Sequence, residues 1–308
     1  MLTTVALPAA APFDFAHTLA FVSGFSPMAG EQSVSTPSAS PSASLTKALS
    51  FDRRAVVFRV RCASSEAVDR EHPALAVDLF SADPLAAGAR SAALARVASF
   101  LGASDDLAAF YAAAAPDRAF APLTHRYRGL RHVRFPTPFE AACWGVINQR
   151  TQLSTARRMK DALTRRAGPS LAVDGVEYRA FPEPDAVRRL DEAELAALLP
   201  GGRRAKAVAA LARAFLDVDE RFLREGAIAD VRAWLRAIHG VGPFTSGFVL
   251  YRGLGRFDGA ALVAPRLVEA ASRQYGRTLT ASDVRRLSEG YGAWGGYWML
   301  YVWASTFV

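Results

Sequence analysis

The chain is poor in cysteine, and the two it has, Cys62 and Cys143, exclude several chemistries at once. Two thiols build no disulfide framework, no four-cysteine zinc site and no four-cysteine iron–sulfur cluster, and a reducing cytoplasm is the default compartment. Histidine is sparse as well, with five in the chain. His17, His72, His125 and His132 show no metal-ligand spacing and read as ordinary surface or core residues. No uncharged apolar run is long enough to span a bilayer. Residues 1–12 are apolar and Ala-rich but lack the basic n-region of a secretory signal. A soluble intracellular protein with no membrane partner is expected.

What the chain does have is positive charge and apolar mass. Its 308 residues carry a formal net charge of +8 and are 51% hydrophobic, enough for a sizeable core in two or three domains. The charge favours a polyanionic partner, with nucleic acid or an anionic membrane surface as the candidates.

Two regions differ in pattern. Residues 1–82 read as a small α+β domain. Asp14 to Phe21 starts a short amphipathic helix, and Arg54–Val60 and Leu75–Phe80 have the alternation of strands. Between them, residues 32–45 are rich in Ser, Pro and Ala, a composition that suits an exposed loop or disordered insert. Residues 83–308 read as an all-helical body. Phe139, Ala142, Cys143, Val146 and Ile147 form a core-facing stripe, with Thr137 placed to cap and Pro138 suited to the first turn.

Within that body, residues 235–255 are the most informative stretch. An apolar helix end runs through Ile238-His239 into Gly240-Val241-Gly242 and straight into a second helix at Pro243-Phe244-Thr245. The two glycines allow positive φ and close approach of a partner, and the exposed N–H groups of such a hairpin can receive a phosphate oxygen. His239 abuts the hairpin and stands near any phosphate held there.

This stretch, followed by Leu250-Tyr251-Arg252-Gly253-Leu254-Gly255-Arg256, resembles the core of the helix-hairpin-helix DNA glycosylases, and among them bacterial 3-methyladenine DNA glycosylase II. Phe139-Glu140 leading to Ile147-Asn148-Gln149, then Arg203-Arg204-Ala205-Lys206-Ala207, then Trp294-Gly295-Gly296-Tyr297 and Trp303, resemble further family segments in the family order. Pro12-Phe13-Asp14-Phe15 and the strand pair resemble its N-terminal domain. The resemblance implies an α+β N-terminal domain followed by an all-α helix-hairpin-helix glycosylase body. It implies a monomer, associated with the nucleoid in the cytoplasm, acting on double-stranded DNA that carries alkylated bases.

Site residues follow from the same resemblance. Gln149, Arg150, His239, Gly240, Val241, Gly242 and Thr245 fall at DNA-contacting positions, with Arg150 as the wedge that fills the gap left by an extruded nucleotide. Phe244, Phe248, Trp294 and Tyr297 form the base pocket, whose electron-rich faces suit a cationic alkylated purine. No cofactor is needed, although a structural monovalent cation can sit on the backbone carbonyls of Arg236, Ile238 and Val241.

One position departs from the pattern. The family places a catalytic Asp downstream of the hairpin, and in Leu262-Val263-Ala264-Pro265 that position is Ala264. The lysine of the bifunctional branch is also missing, since Phe244 occupies its place, so any activity is monofunctional N-glycosidic hydrolysis. Three readings stay open. Asp258 or Glu269 substitutes for the missing acid; a cationic base departs without one; or the chain is a catalytically impaired paralogue that binds damaged or distorted DNA without excision.

Overall fold

The computed structural model describes residues 1–35, 43–62, 74–257 and 263–306. Five strands, β1 (Leu2–Pro8), β2 (Gln32–Ser35), β3 (Ser44–Phe51), β4 (Arg54–Cys62) and β5 (Ala74–Ser81), form one antiparallel sheet in the spatial order β1-β5-β4-β3-β2. β4 and β5 are the two strands that alternation predicts, paired with Val60 opposite Val77. β1 falls in the Ala-rich start that sequence reading left unassigned. It runs antiparallel along the outer side of β5, with Val5 opposite Val77, and exposes Leu2, so its apolar contrast is weak.

The expected loop at 32–45 is corrected at both ends. Gln32–Ser35 and Ser44–Phe51 pair as neighbouring strands, Gln32 opposite Lys47, and residues 36–42 lie outside the described residues. Backbone pairing onto an existing sheet outweighs the low β propensity of a serine-rich stretch.

Period-two side chains of the sheet, including Leu45, Leu49, Val56, Phe58, Val77 and Leu79, enter one continuous core with the helical part of the chain. Phe58, for example, meets Phe100 of the Ala87–Leu101 helix edge-on at 5.9 Å. The other face of β3 and β4 is also covered, and here a second correction is needed. Residues after 83 are mostly helical but include a β-hairpin, β6 (Ser170–Val173) and β7 (Val176–Arg179). Its turn residues Asp174 and Gly175 both have positive φ, +51° and +79°, the arrangement that an Asp-Gly pair favours. Val173 and Tyr178 from this hairpin pack on Ala48 and Val57.

Two helix starts behave as their sequences direct. Asp14 caps the Phe15–Gly24 helix, accepting the His17 N–H at 2.9 Å. Thr137 caps Pro138–Ile147, accepting the Glu140 N–H at 3.1 Å. The Pro138–Ile147 helix is buried along its whole length and is fastened to the sheet side of the molecule by charge. Lys160, on the Leu153–Ala167 helix, places its Nζ 2.7 Å from Glu140 and 2.5 Å from Glu31, and Lys47 reaches Glu31 at 2.7 Å. Burial alone raises the Glu31 carboxyl, but the ammonium groups of Lys160 and Lys47 overcome it and hold the pKa at about 2. Among the described residues no helix is long and apolar enough to cross a membrane.

Candidate nucleic-acid interface

The Ile228–Ala237 helix stops at Ile238, whose extended backbone (φ −76°, ψ 130°) leads into the hairpin. Gly240 has φ +86°, and a Cβ built there lies 2.3 Å from the Cβ of Ala207. Glycine is required at this point for both reasons. Gly242 differs from the sequence expectation. Its φ is −93°, an ordinary extended value, and a Cβ there meets nothing within 4 Å. Nothing inside the protein calls for glycine at 242.

From Gly242 the chain enters the Pro243–Phe248 helix, which continues into a wider turn at Val249–Gly253. Val241 is buried and donates its N–H to the Ile238 carbonyl at 3.0 Å, while His239 is exposed. Among the described residues no group of His, Cys, Asp and Glu side chains is arranged to hold a metal ion.

The turn that follows the Pro138–Ile147 helix is locked against this hairpin. Gln149 Nε2 donates to the Gly240 carbonyl and to Thr245 Oγ1, both at 3.0 Å. Arg204, at the start of the Arg203–Asp217 helix, donates to the carbonyls of Ile147 (3.1 Å) and Gln149 (2.8 Å) from the other side. Gly145 packs so closely on Thr245 that an added Cβ falls 2.8 Å from its methyl. Thr245 is therefore 1% exposed, held inside rather than presented to a partner, and the Gln149 amide is spent on the same junction. Thr245 is buried and Gln149 half-buried, and both hold their neighbours in place. Arg150 is the one left outside, exposed and at φ +49°, a region that side-chain-bearing residues seldom adopt.

The four expected pocket rings divide into two pairs. Phe244 is 57% exposed and stacks on Phe248 at 6.2 Å with an 18° interplanar angle, and Phe248 rests edge-on against Phe135. Trp294 and Tyr297 instead line a cavity of about 300 Å³ with Asp105, His132, Tyr251 and Arg256, a set that does not include Phe244 or Phe248. Helical i, i+4 spacing keeps Phe244 and Phe248 together, but nothing in the sequence fixes their distance from Trp294.

Sequence reasoning missed Asp105 and set His132 aside. Asp105 accepts hydrogen bonds from Arg134 and from the Tyr297 hydroxyl. Burial, and then the Asp105 charge, push the Tyr297 phenol well above its ordinary value, so it remains a donor. His132 is buried and stacked 4.2 Å from Tyr251; burial, with Arg252 and Arg134 nearby, pushes it well below the usual imidazole range. It is a neutral ring. No motif or periodicity signals either residue, because their partners lie far away in sequence.

Of the two proposed substitute acids, Asp258 lies outside the described residues. Glu269 is exposed on the Pro265–Gln274 helix and does not line the Trp294 cavity, which corrects its candidacy for that site. Ala264 is the exposed N-cap of the same helix and leaves it without a side-chain cap. Among the described residues the carboxylate lining that cavity is Asp105, already engaged by Arg134 and Tyr297.

No protein-family model matches the chain. Over 204 residues, 65% of the chain, it is 28% identical to the DNA-3-methyladenine glycosylase of Bacillus subtilis (strain 168), across 67% of that protein. Its fold is similar to that of the 3-methyladenine DNA-glycosylase from Archaeoglobus fulgidus, with a TM-score of 0.75 and 18% identity over 97% of this chain and 96% of that one. The Clostridium acetobutylicum 8-oxoguanine glycosylase/lyase, solved in complex with double-stranded DNA, is similar with a TM-score of 0.68 and 15% identity over 99% of this chain and 97% of that one. The N-terminal antiparallel sheet and mostly helical body are similar to those of these solved glycosylase structures, and the likeness is one of fold.

Proposed function

We propose that this protein is a base-excision DNA glycosylase that extrudes and removes alkylated, cationic purines such as 3-methyladenine from double-stranded DNA. The single observation that carries the reading is the Gln149 junction. It makes one unit of the exposed wedge candidate Arg150, the hairpin with its open Gly242, and the exposed ring of Phe244. Gly240-Val241-Gly242 and His239 receive the phosphate backbone, Arg150 enters the gap in the stack, and the aromatic residues Phe244, Phe248, Trp294 and Tyr297 serve the unstacked base. Residues 1–82 form an N-terminal domain beside the glycosylase body at 83–308. The protein works as a cytoplasmic monomer, without a cofactor beyond a structural monovalent cation on the hairpin carbonyls.

The reaction is hydrolytic. The bond between C1′ and the base nitrogen breaks, its electron pair leaves with the base, and a water oxygen bonds to C1′ while its proton passes to solvent. A purine that enters with a positive charge leaves neutral, which makes departure easy. Phe244 stands where the bifunctional branch carries its lysine, so no Schiff base forms.

A second reading is favoured by the environment of Ala264. With no carboxylate at that N-cap and Asp105 already paired, the protein binds distorted DNA without excision. A positioned acid or base contributes about 10²–10⁴-fold, so its absence separates a slow enzyme from a sensor. Purified protein incubated with alkylated duplex DNA decides between them. Release of free 3-methyladenine supports the enzyme. Binding without any base release over hours at micromolar protein supports the sensor, and absence of DNA binding removes both.

A further inference from the structure

Beside the hairpin runs a groove of about 480 Å³, separate from the cavity that Trp294 lines. It is lined by apolar side chains together with Arg188, Lys206, Arg213, Glu192 and His239 of the hairpin. Lys206 and Arg213 are both exposed on the Arg203–Asp217 helix, seven residues and so two turns apart on one face, about 10 Å along the axis. Arg188 is exposed at the end of another helix, Pro184–Arg188.

The charges are notably one-sided. Most neighbouring acids are committed elsewhere: Asp185 to Arg189 at 3.0 Å, and Glu194 to Arg166. Arg188, Lys206 and Arg213 form no ion pair among the described residues. Glu192 is the one carboxylate lining the groove, so three fixed cations face a single anion. The groove is joined to the hairpin physically, because Ala207, next to Lys206, is the residue on which Gly240 rests.

We infer that this groove is a second binding surface for the DNA backbone, continuing the path of the strand held at the hairpin. The inference rests on the proposed DNA engagement and extends it. Duplex DNA carries a phosphate every ~3.4 Å of axis per strand, so side chains rooted ~10 Å apart, as Lys206 and Arg213 are, can reach different phosphates of the same strand. Contacts of this kind position the protein and carry no sequence preference.

The test is a salt titration of duplex DNA binding by fluorescence anisotropy for the wild type, the K206A/R213A double variant and the charge-keeping K206R/R213K variant. Both substituted positions are exposed, and circular dichroism checks that each variant keeps the helical fold. The expected result is affinity several-fold weaker for K206A/R213A, equally on different duplex sequences. The slope of log K against log salt should shrink by about 1.8, near 0.9 for each lost phosphate contact, with the wild-type slope restored in K206R/R213K. An unchanged slope in K206A/R213A overturns the groove assignment while leaving the hairpin reading intact. A wild-type protein that does not bind duplex DNA at low salt overturns both.

Discussion

The side-chain amide of Gln149 donates to the carbonyl oxygen of Gly240 at 3.0 Å, tying a helix-terminal turn to a hairpin 91 residues later in the chain. The same nitrogen reaches Thr245, so one side chain spans both sides of the glycine hairpin. Gln149→Leu removes both bonds and strands partly buried acceptors. It is expected to cost about 1–3 kcal/mol of stability in urea denaturation. DNA affinity should fall as well, because Arg150 is no longer held beside the hairpin. Full DNA affinity in a destabilised Gln149→Leu protein would detach Arg150 from the interface.

The two hairpin glycines should respond in opposite ways. Gly240→Ala meets a positive φ and a 2.3 Å approach to Ala207, so a stability loss of at least about 2 kcal/mol is expected. Gly242→Ala meets neither obstacle and should leave the thermal midpoint almost unchanged. If the backbone at 242 lies against a phosphate, the added methyl group weakens DNA binding all the same. Unaltered binding by Gly242→Ala places the partner elsewhere.

Ala264→Asp tests the missing acid with two separate readouts. The position is an N-cap with extended backbone (φ −92°, ψ 153°), so an Asp there can accept a first-turn N–H and add ~1 kcal/mol of stability. Base release from alkylated DNA should rise at least about tenfold if the rest of the site suits the chemistry. Greater stability without greater release would mean that the site serves binding alone.

Acid should weaken the fold through the Glu31–Lys160–Glu140 cluster. The Glu31 carboxyl titrates at about 2 in the folded chain against 4.5 ordinarily. Its contribution is therefore complete above the ordinary value and is lost as pH falls from about 4.5 towards 2. Urea midpoints measured at pH 6, 4 and 3 should drop steeply in the wild type and more shallowly in Glu31→Gln. Lys160→Met leaves Glu140 buried without its partner at 2.7 Å and should cost ~3–5 kcal/mol near neutral pH.

Elements with strong local signals were legible directly. Thr137-Pro138 gives the start of a helix because a hydroxyl cap and a proline in the first turn act within one turn of chain. Strands β4 and β5 follow from alternation, since each faces a core. The β6–β7 hairpin has its local signal in Asp174-Gly175, set within an otherwise helical stretch. Strands β1 and β2 are weakly patterned and owe their conformation to the neighbours they pair with, which no local window contains.

The Gly240-Val241-Gly242 hairpin was legible from sequence alone, because a tight helix–turn–helix connection is encoded by adjacent residues. Only the tertiary structure decided what surrounds it. It turned Gln149 and Thr245 inward, left Arg150 and Phe244 exposed, and parted Phe248 from the Trp294 cavity. It also lodged Asp105 in that cavity, by bonds to residues 29 and 192 positions away. Burial and long-range hydrogen bonding are properties of the packed chain, and they determine which residues of a legible motif remain exposed.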